Sequence, residues 1–125
     1  MKSPKWKQFQ DDIAEKLKVI DPFARSSKGS GNCGELGDVN NSVGLNIECK
    51  QTDKVRDISI KKDEWEHVCQ EIPLHSDRIP VLCLENKEGK RWAVLDLDTF
   101  LEFYIELYEF RENDQFEREN NDRAS

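Results

Sequence analysis

At 125 residues and a mean hydropathy of −0.83, the chain can build one modest core. It has no apolar run long enough to span a bilayer, so no membrane association is expected. The net charge of −7 argues against general affinity for nucleic acid, but the charge is uneven. Residues 1–30 carry seven Lys/Arg against four Asp/Glu, Lys50–Lys62 carries five against two, and from Glu106 onward seven acids face three arginines. A basic front with an acidic end is compatible with nucleic-acid contact and a shielding or partner-binding tail. An ordinary solvated surface gives the same composition.

The start, MKSPKWKQFQDD, turns directly into an amphipathic pattern, so no secretory leader is expected. Trp6, Phe9, Ile13, Leu17 and Ile20 recur at helical spacing and predict a first helix over Pro4–Val19, ended by Asp21-Pro22. PFARSS then reads as a short strand and KGSGNCGELG as a loop. Leu36–Asn40 and Val43–Lys50 read as two strands of a hairpin around an Asn-Asn-Ser turn. Ile60 leads into a second helix with Trp65, Val68, Cys69 and Ile72 inward, stopped by Pro73. IPVLCLE and RWAVLDL are strands joined by NKEGK, with Gly89 making the bend. Asp98 or Thr99 caps a third helix, and Thr99-x-x-Glu102 has the form of a capping box.

That third helix carries apolar residues from Phe100 to Phe110 on more than one stripe, which suggests a dimer partner. From Arg111 the sequence is charged and reads as a flexible tail. The expectation is one domain over residues 1–110 and an acidic tail over 111–125, the latter a surface for a possible protein partner. The fold class is α/β, in the order α-β-β-β-α-β-β-α, with a mixed sheet of about five strands flanked by helices. Cys33, Cys49, Cys69 and Cys83 include no C-x-x-C pair, so a zinc site with His67 or His75 is disfavoured. Cys49, Cys69 and Cys83 read as small buried hydrophobes, and reduced thiols fit a cytoplasmic location. Trp65 and Trp92 read as core residues.

Three E-x-K triplets occur: Glu48-Cys49-Lys50, Glu85-Asn86-Lys87 and Glu88-Gly89-Lys90. The last two fall at a hairpin turn, where charge is ordinary. Glu48 and Lys50 lie on a strand where apolar and polar residues alternate, so they share its polar face. With an odd-length turn such as Asn41-Ser42-Val43, Asp38 falls opposite Asn46 and diagonal to Glu48, close enough for two carboxylates to share a cation. A two-residue turn would put Asp38 and Glu48 on opposite faces. Phosphodiester hydrolysis asks for such a set. A hard cation such as Mg²⁺ takes one or two carboxylates, here Asp38 and Glu48 with the backbone carbonyl of Cys49. Lys50 would offset charge on the transition state. The same residues also fit a solvated strand face. Asp12, on the border of the first helix's apolar stripe, is the helix acid best placed to reach the sheet.

Arg25, Ser30-Gly31, Gly37-Asp38-Val39, Ile47-Glu48-Cys49-Lys50 and Ile58-Ser59-Ile60, in that order, resemble the PD-(D/E)XK nuclease superfamily. Within it they look most like the archaeal-type Holliday junction resolvases and their small phage-borne relatives. The resemblance covers about Trp6 to Tyr104. It implies a restriction-endonuclease-like fold, Asp38 and Glu48 as Mg²⁺ ligands (Mn²⁺ substituting), and Lys50 as the catalytic lysine. It further implies Ser30 as a loop serine near the scissile phosphate, Asp12 as the helix acid and Arg25 as a phosphate contact. Lys28, Lys54, Arg56, Lys61 and Lys62 would join Arg25 on DNA, with salt-dependent affinity. The activity so implied is Mg²⁺-dependent cleavage of branched DNA, most simply a four-way junction, by a homodimer with two symmetric sites. The alternatives are a nuclease of the same fold acting on flap, single-stranded or duplex DNA, and a catalytically idle relative that binds DNA or protein. His67 and His75 have no part in this scheme. Gly37 stands where the family often has Pro.

Overall fold

The computed structural model describes residues 4–27, 37–56 and 58–124. Ser30 and Lys28, expected near phosphate, lie outside the described residues, as does the loop through Cys33.

The chain forms α1 (Lys5–Leu17), β1 (Arg25–Ser26), β2 (Val39–Asn40), β3 (Leu45–Gln51), α2 (Lys62–Gln70), β4 (Ile79–Glu85), β5 (Arg91–Val94) and α3 (Leu97–Ala124). The expected order of elements is the observed one. The strands make one five-stranded α/β sheet in the order β1-β2-β3-β4-β5. All neighbours are antiparallel except β3 and β4, which run parallel. A parallel pair needs a crossover, and α2 provides it. Among the described residues, no helix is long and apolar enough to cross a membrane.

Strand alternation divides β3 between two environments. Leu45, Ile47 and Cys49 pack with Val81 and Cys83 of β4 against Ile13, Ala14 and Leu17 of α1. Leu82 and Leu84 of β4 face the other way, against Val68 and Trp65 of α2. Asn46, Glu48 and Lys50 alternate with the α1-facing residues and so share the α2 side. Asn46 is fully buried there, its Nδ2 donating to the Val68 carbonyl at 2.9 Å. The polar face of β3 is therefore covered by a helix rather than open to water.

Several expectations are corrected. Ile20 is exposed beyond the end of α1 at Leu17, and Trp6 is exposed within the helix, where Phe9, Gln10 and Ala14 are the buried residues. Ile60 precedes α2 and is exposed, and Cys69 is exposed rather than a core thiol. Asp21 is buried beyond α1. Its carboxylate accepts the Ser42 N–H at 2.7 Å and the Phe23 N–H at 3.2 Å, tying the end of the helix to the β2–β3 turn. The Ser42 contact in particular holds that carboxyl below its usual range.

The chain divides into two compact units, residues 1–94 and 95–125. The second unit is essentially α3. Its first turn is capped one residue pair earlier than expected: the Asp96 carboxylate accepts the Thr99 N–H at 3.3 Å, and the Asp96 carbonyl accepts the Phe100 N–H at 3.0 Å. The helix continues through Arg111, where a flexible tail was expected, to Ala124. Arg118–Asp114 and Gln115–Glu119, both one turn apart, support it there. Phe100, Leu101, Phe103, Tyr104, Ile105 and Leu107 are all exposed along it.

Candidate active site

The β2–β3 hairpin sets the geometry. Val39 pairs with Ile47, and the strands are separated by Asn41–Gly44. The Asn41 side chain takes the place of a strand residue: its Oδ1 accepts the Leu45 N–H at 3.1 Å and its Nδ2 donates to the Leu45 carbonyl at 2.9 Å. Continued one step back from Val39, this register would set Asp38 opposite Glu48 and not opposite Asn46. The even offset that keeps the two acids together is met, one pair displaced from the expectation.

Asp38 does not simply extend the ladder. Its N–H donates to the Ile47 carbonyl at 2.7 Å, while its Oδ2 accepts the Cys49 N–H at 2.7 Å. The carboxylate thus reaches the middle residue of the Glu48-Cys49-Lys50 triplet through the β3 backbone. Gly37 makes this approach possible. It has φ +72°, and a Cβ there would lie 2.5 Å from the Ile47 carbonyl oxygen and 2.7 Å from Asn46 Oδ1. A side chain at this position would push β2 away from β3.

Across the polar face, α2 contributes three groups. Lys50 Nζ is hydrogen-bonded to Glu64 Oε1, and this partner holds the Glu64 carboxyl below its ordinary range. One turn along, His67 Nε2 lies 2.7 Å from Glu71 Oε1. Donor atoms of Glu48, His67 and Glu71 all lie within 4.8 Å of one another. A cavity of about 300 Å³ opens beside them, lined by Glu48, Lys50, Asp63, Glu64 and His67 among others.

Glu48 is the electrostatic centre of this arrangement. Burial, then contact with the Glu71 carboxyl and the charge of Asp38, push its carboxyl up to about 9. A carboxyl so placed at neutral pH keeps its proton or exchanges it for a cation. Asn46 Oδ1, Glu64 Oε2 and Glu71 Oε2 are buried without a donor among the described residues. Glu48, His67 and Glu71 together form an acidic and histidine cluster whose donor atoms are close enough to share one cation.

The other candidates fall in different places. Asp12, expected as the helix acid, is not beside Asp38 or Glu48. Its carboxylate pairs with Arg91 on β5 at 2.9 Å, because α1 packs on the sheet face that Glu48 turns away from. Lys54 and Lys61 line a second cavity, of about 200 Å³, together with Lys50. Arg25 and Arg56 are exposed, and Lys62 pairs with Glu66 at 3.5 Å on α2. Glu85, in the second E-x-K triplet, is a buried strand residue rather than a turn charge, bonded to Arg91 at 2.6 Å and also to Gln51.

Sequence reasoning missed Glu64, His67 and Glu71. Their signal was available: spacings of three and four set them on one helical face, and that face meets the strand carrying Glu48 and Lys50. Comparison of the chain with protein-family models, with curated proteins and with solved structures finds no match.

Proposed function

We propose that this chain is a divalent-cation-dependent endonuclease of the PD-(D/E)XK kind, acting on branched DNA in a reducing cytoplasm. The convergence of Asp38 and Glu48, with Lys50 on the same strand face, is the observation that carries the reading. The α-β-β-β-α-β-β-α order and the mixed five-stranded sheet are compatible with a restriction-endonuclease-like core.

Asp38 and Glu48 would hold the cation. The Cys49 carbonyl points to the same strand edge as its N–H, which already meets Asp38. A bound Mg²⁺ or Mn²⁺ would polarise a phosphate oxygen and lower the pKa of an attacking water. Asp38 is oriented by the Cys49 N–H, so its other oxygen is presented toward Glu48 without a search of rotamers. Lys50, steadied by Glu64, brings positive charge to the scissile phosphate as negative charge builds on it. Lys54 and Lys61, around the cavity that Lys50 shares, are suited to flanking phosphates. Arg25, Arg56 and Lys62 would add salt-dependent attraction. A two-fold pair of chains would bring two such sites to one four-way junction, and the exposed apolar residues of α3 are suited to a chain–chain contact.

The test is to offer four-way junction, flap, single-stranded and linear duplex DNA to the pure protein with Mg²⁺, with Glu48→Ala as control. The expected result is cleavage of the junction above the other substrates, lost in Glu48→Ala. No cleavage of any substrate with junction binding intact would favour an idle DNA-binding role. Equal cleavage by parent and variant would remove the site assignment.

A further inference from the structure

We propose that Glu71, the residue that ends α2, is a third carboxylate ligand of the cation and that His67 is its positioning residue. The proposal rests on the reading of Asp38 and Glu48 as a cation site. It adds a helix-borne ligand to what would otherwise be a site built on two strands.

The ordinary alternative is a surface pair of a histidine and a glutamate one turn apart. Such a pair would leave the second carboxylate oxygen in water. Here Glu71 Oε1 is engaged by His67 Nε2 at 2.7 Å, while Oε2 is buried with no donor among the described residues other than the Glu48 carboxyl that contacts Glu71. The carboxylate also lies within reach of Glu48, their donor atoms and that of His67 falling within 4.8 Å of one another.

The position gathers negative charge. Glu71 is the C-cap of α2, where the helix presents its unpaired carbonyls and partial negative charge. Glu48 adds a second carboxyl and Asp38 a third. Among the described residues His67 meets Glu71 and the Cys49 N–H meets Asp38, while the nearby Lys50 is given to Glu64. A divalent cation would reverse the sign of each of these interactions at once, and the helix terminus would then favour it.

His67 explains how the carboxylate is aimed. Its Nε2–H occupies Oε1, so Oε2 is the oxygen left for a cation. This is the kind of outer contact that fixes a ligand's orientation and changes metal affinity about 10–100-fold when removed. Asn46, two residues before Glu48 on the same face, contributes a further buried acceptor. Its Oδ1 lies beside Gly37 with no donor among the described residues, and a water carried by the cation could supply one.

Mn²⁺ is the probe for the test. It is titrated into the full chain and free ion is read by electron paramagnetic resonance, for the parent, Glu48→Gln, Glu71→Gln, His67→Ala and His67→Gln. Thermal melts of each in metal-free buffer accompany the titrations. The expected result is that Glu71→Gln weakens Mn²⁺ binding about 10–100-fold, and His67→Ala about 10-fold. His67→Gln, which keeps an amide donor, recovers most of that loss. Metal-free Glu71→Gln should melt at or above the parent, since it removes a like charge.

Parent-like binding in Glu71→Gln, with binding lost in Glu48→Gln, would overturn Glu71 as a ligand and leave the Asp38–Glu48 site standing. A lower metal-free melting temperature for Glu71→Gln would overturn the proposal too, marking the residue as a structural acid. Absence of Mn²⁺ binding by the parent would defeat the underlying site as well.

Discussion

Glu48 on β3 and Glu85 on β4 begin two E-x-K triplets on neighbouring parallel strands, yet their surroundings are opposite. The Glu85 carboxylate is bonded to Arg91 and Gln51, so its charge is matched inside the chain. Glu48 has Asp38 and Glu71 for neighbours and is driven up to about 9. A carboxylate that serves the fold is paired with a cation, because leaving it buried and unpaired is costly. One gathered with other carboxylates stores an electrostatic penalty that a bound cation can relieve. The same tripeptide pattern is thus a structural device at one strand and a site candidate at the other.

The comparison breaks most visibly in activity. Glu48→Gln is expected to lower Mg²⁺-dependent DNA cleavage on the order of 10³-fold, whereas Glu85→Gln should leave the rate of folded protein near the parent's. A single-turnover assay on one substrate reads both. Stability should run the other way. Glu85→Gln removes a buried charge-assisted bond and should cost about 2 kcal/mol in a urea titration. Glu48→Gln should leave the metal-free protein as stable as the parent or more so.

Gly37 tests the link between hairpin and site. Gly37→Ala forces a Cβ into the β3 backbone at positive φ, with an expected loss of about 1–2 kcal/mol. Because the strain bears on the residue before Asp38, Mn²⁺ affinity should fall with it.

A further contrast lies in pH. Glu48 has a raised carboxyl in the folded chain and an ordinary one near 4.5 when unfolded. Between those values the folded chain binds more protons, so this contribution to stability is complete below about 4.5 and is lost as pH rises toward about 9. Metal-free melts should therefore fall as pH rises from 5 to 9. Glu48→Gln should flatten that slope, and Glu85→Gln should not.

Much of this was legible in the residues. The run Ile79–Glu85 and the alternation along β3 are local patterns, and they predict strands and shared faces directly. The hairpin's even offset was legible, but its register was not. The Asn41 side chain stands in for strand backbone, and that substitution has no periodic signature. Asp12 shows the limit of helical angles: they locate the border of a stripe but not which side of the sheet the stripe covers. The α2 groups were hidden because charged residues on a short helix read as solvent-facing. They become site residues only when the crossover lays that helix over Glu48 and Lys50. The α3 continuation was missed for a related reason, since its charged second half is stabilised by pairs one turn apart that resemble a disordered tail in composition.

Lys50 offers the most direct test of the central claim, because it separates chemistry from cation binding. Four-way junction cleavage should be measured with saturating Mg²⁺ for the parent and for Lys50→Ala, alongside Mn²⁺ binding and junction binding by both. The account predicts that Lys50→Ala binds cation and junction but cleaves at least about 10²-fold more slowly. A Lys50→Ala protein that cleaves the junction at the parent's rate would contradict it.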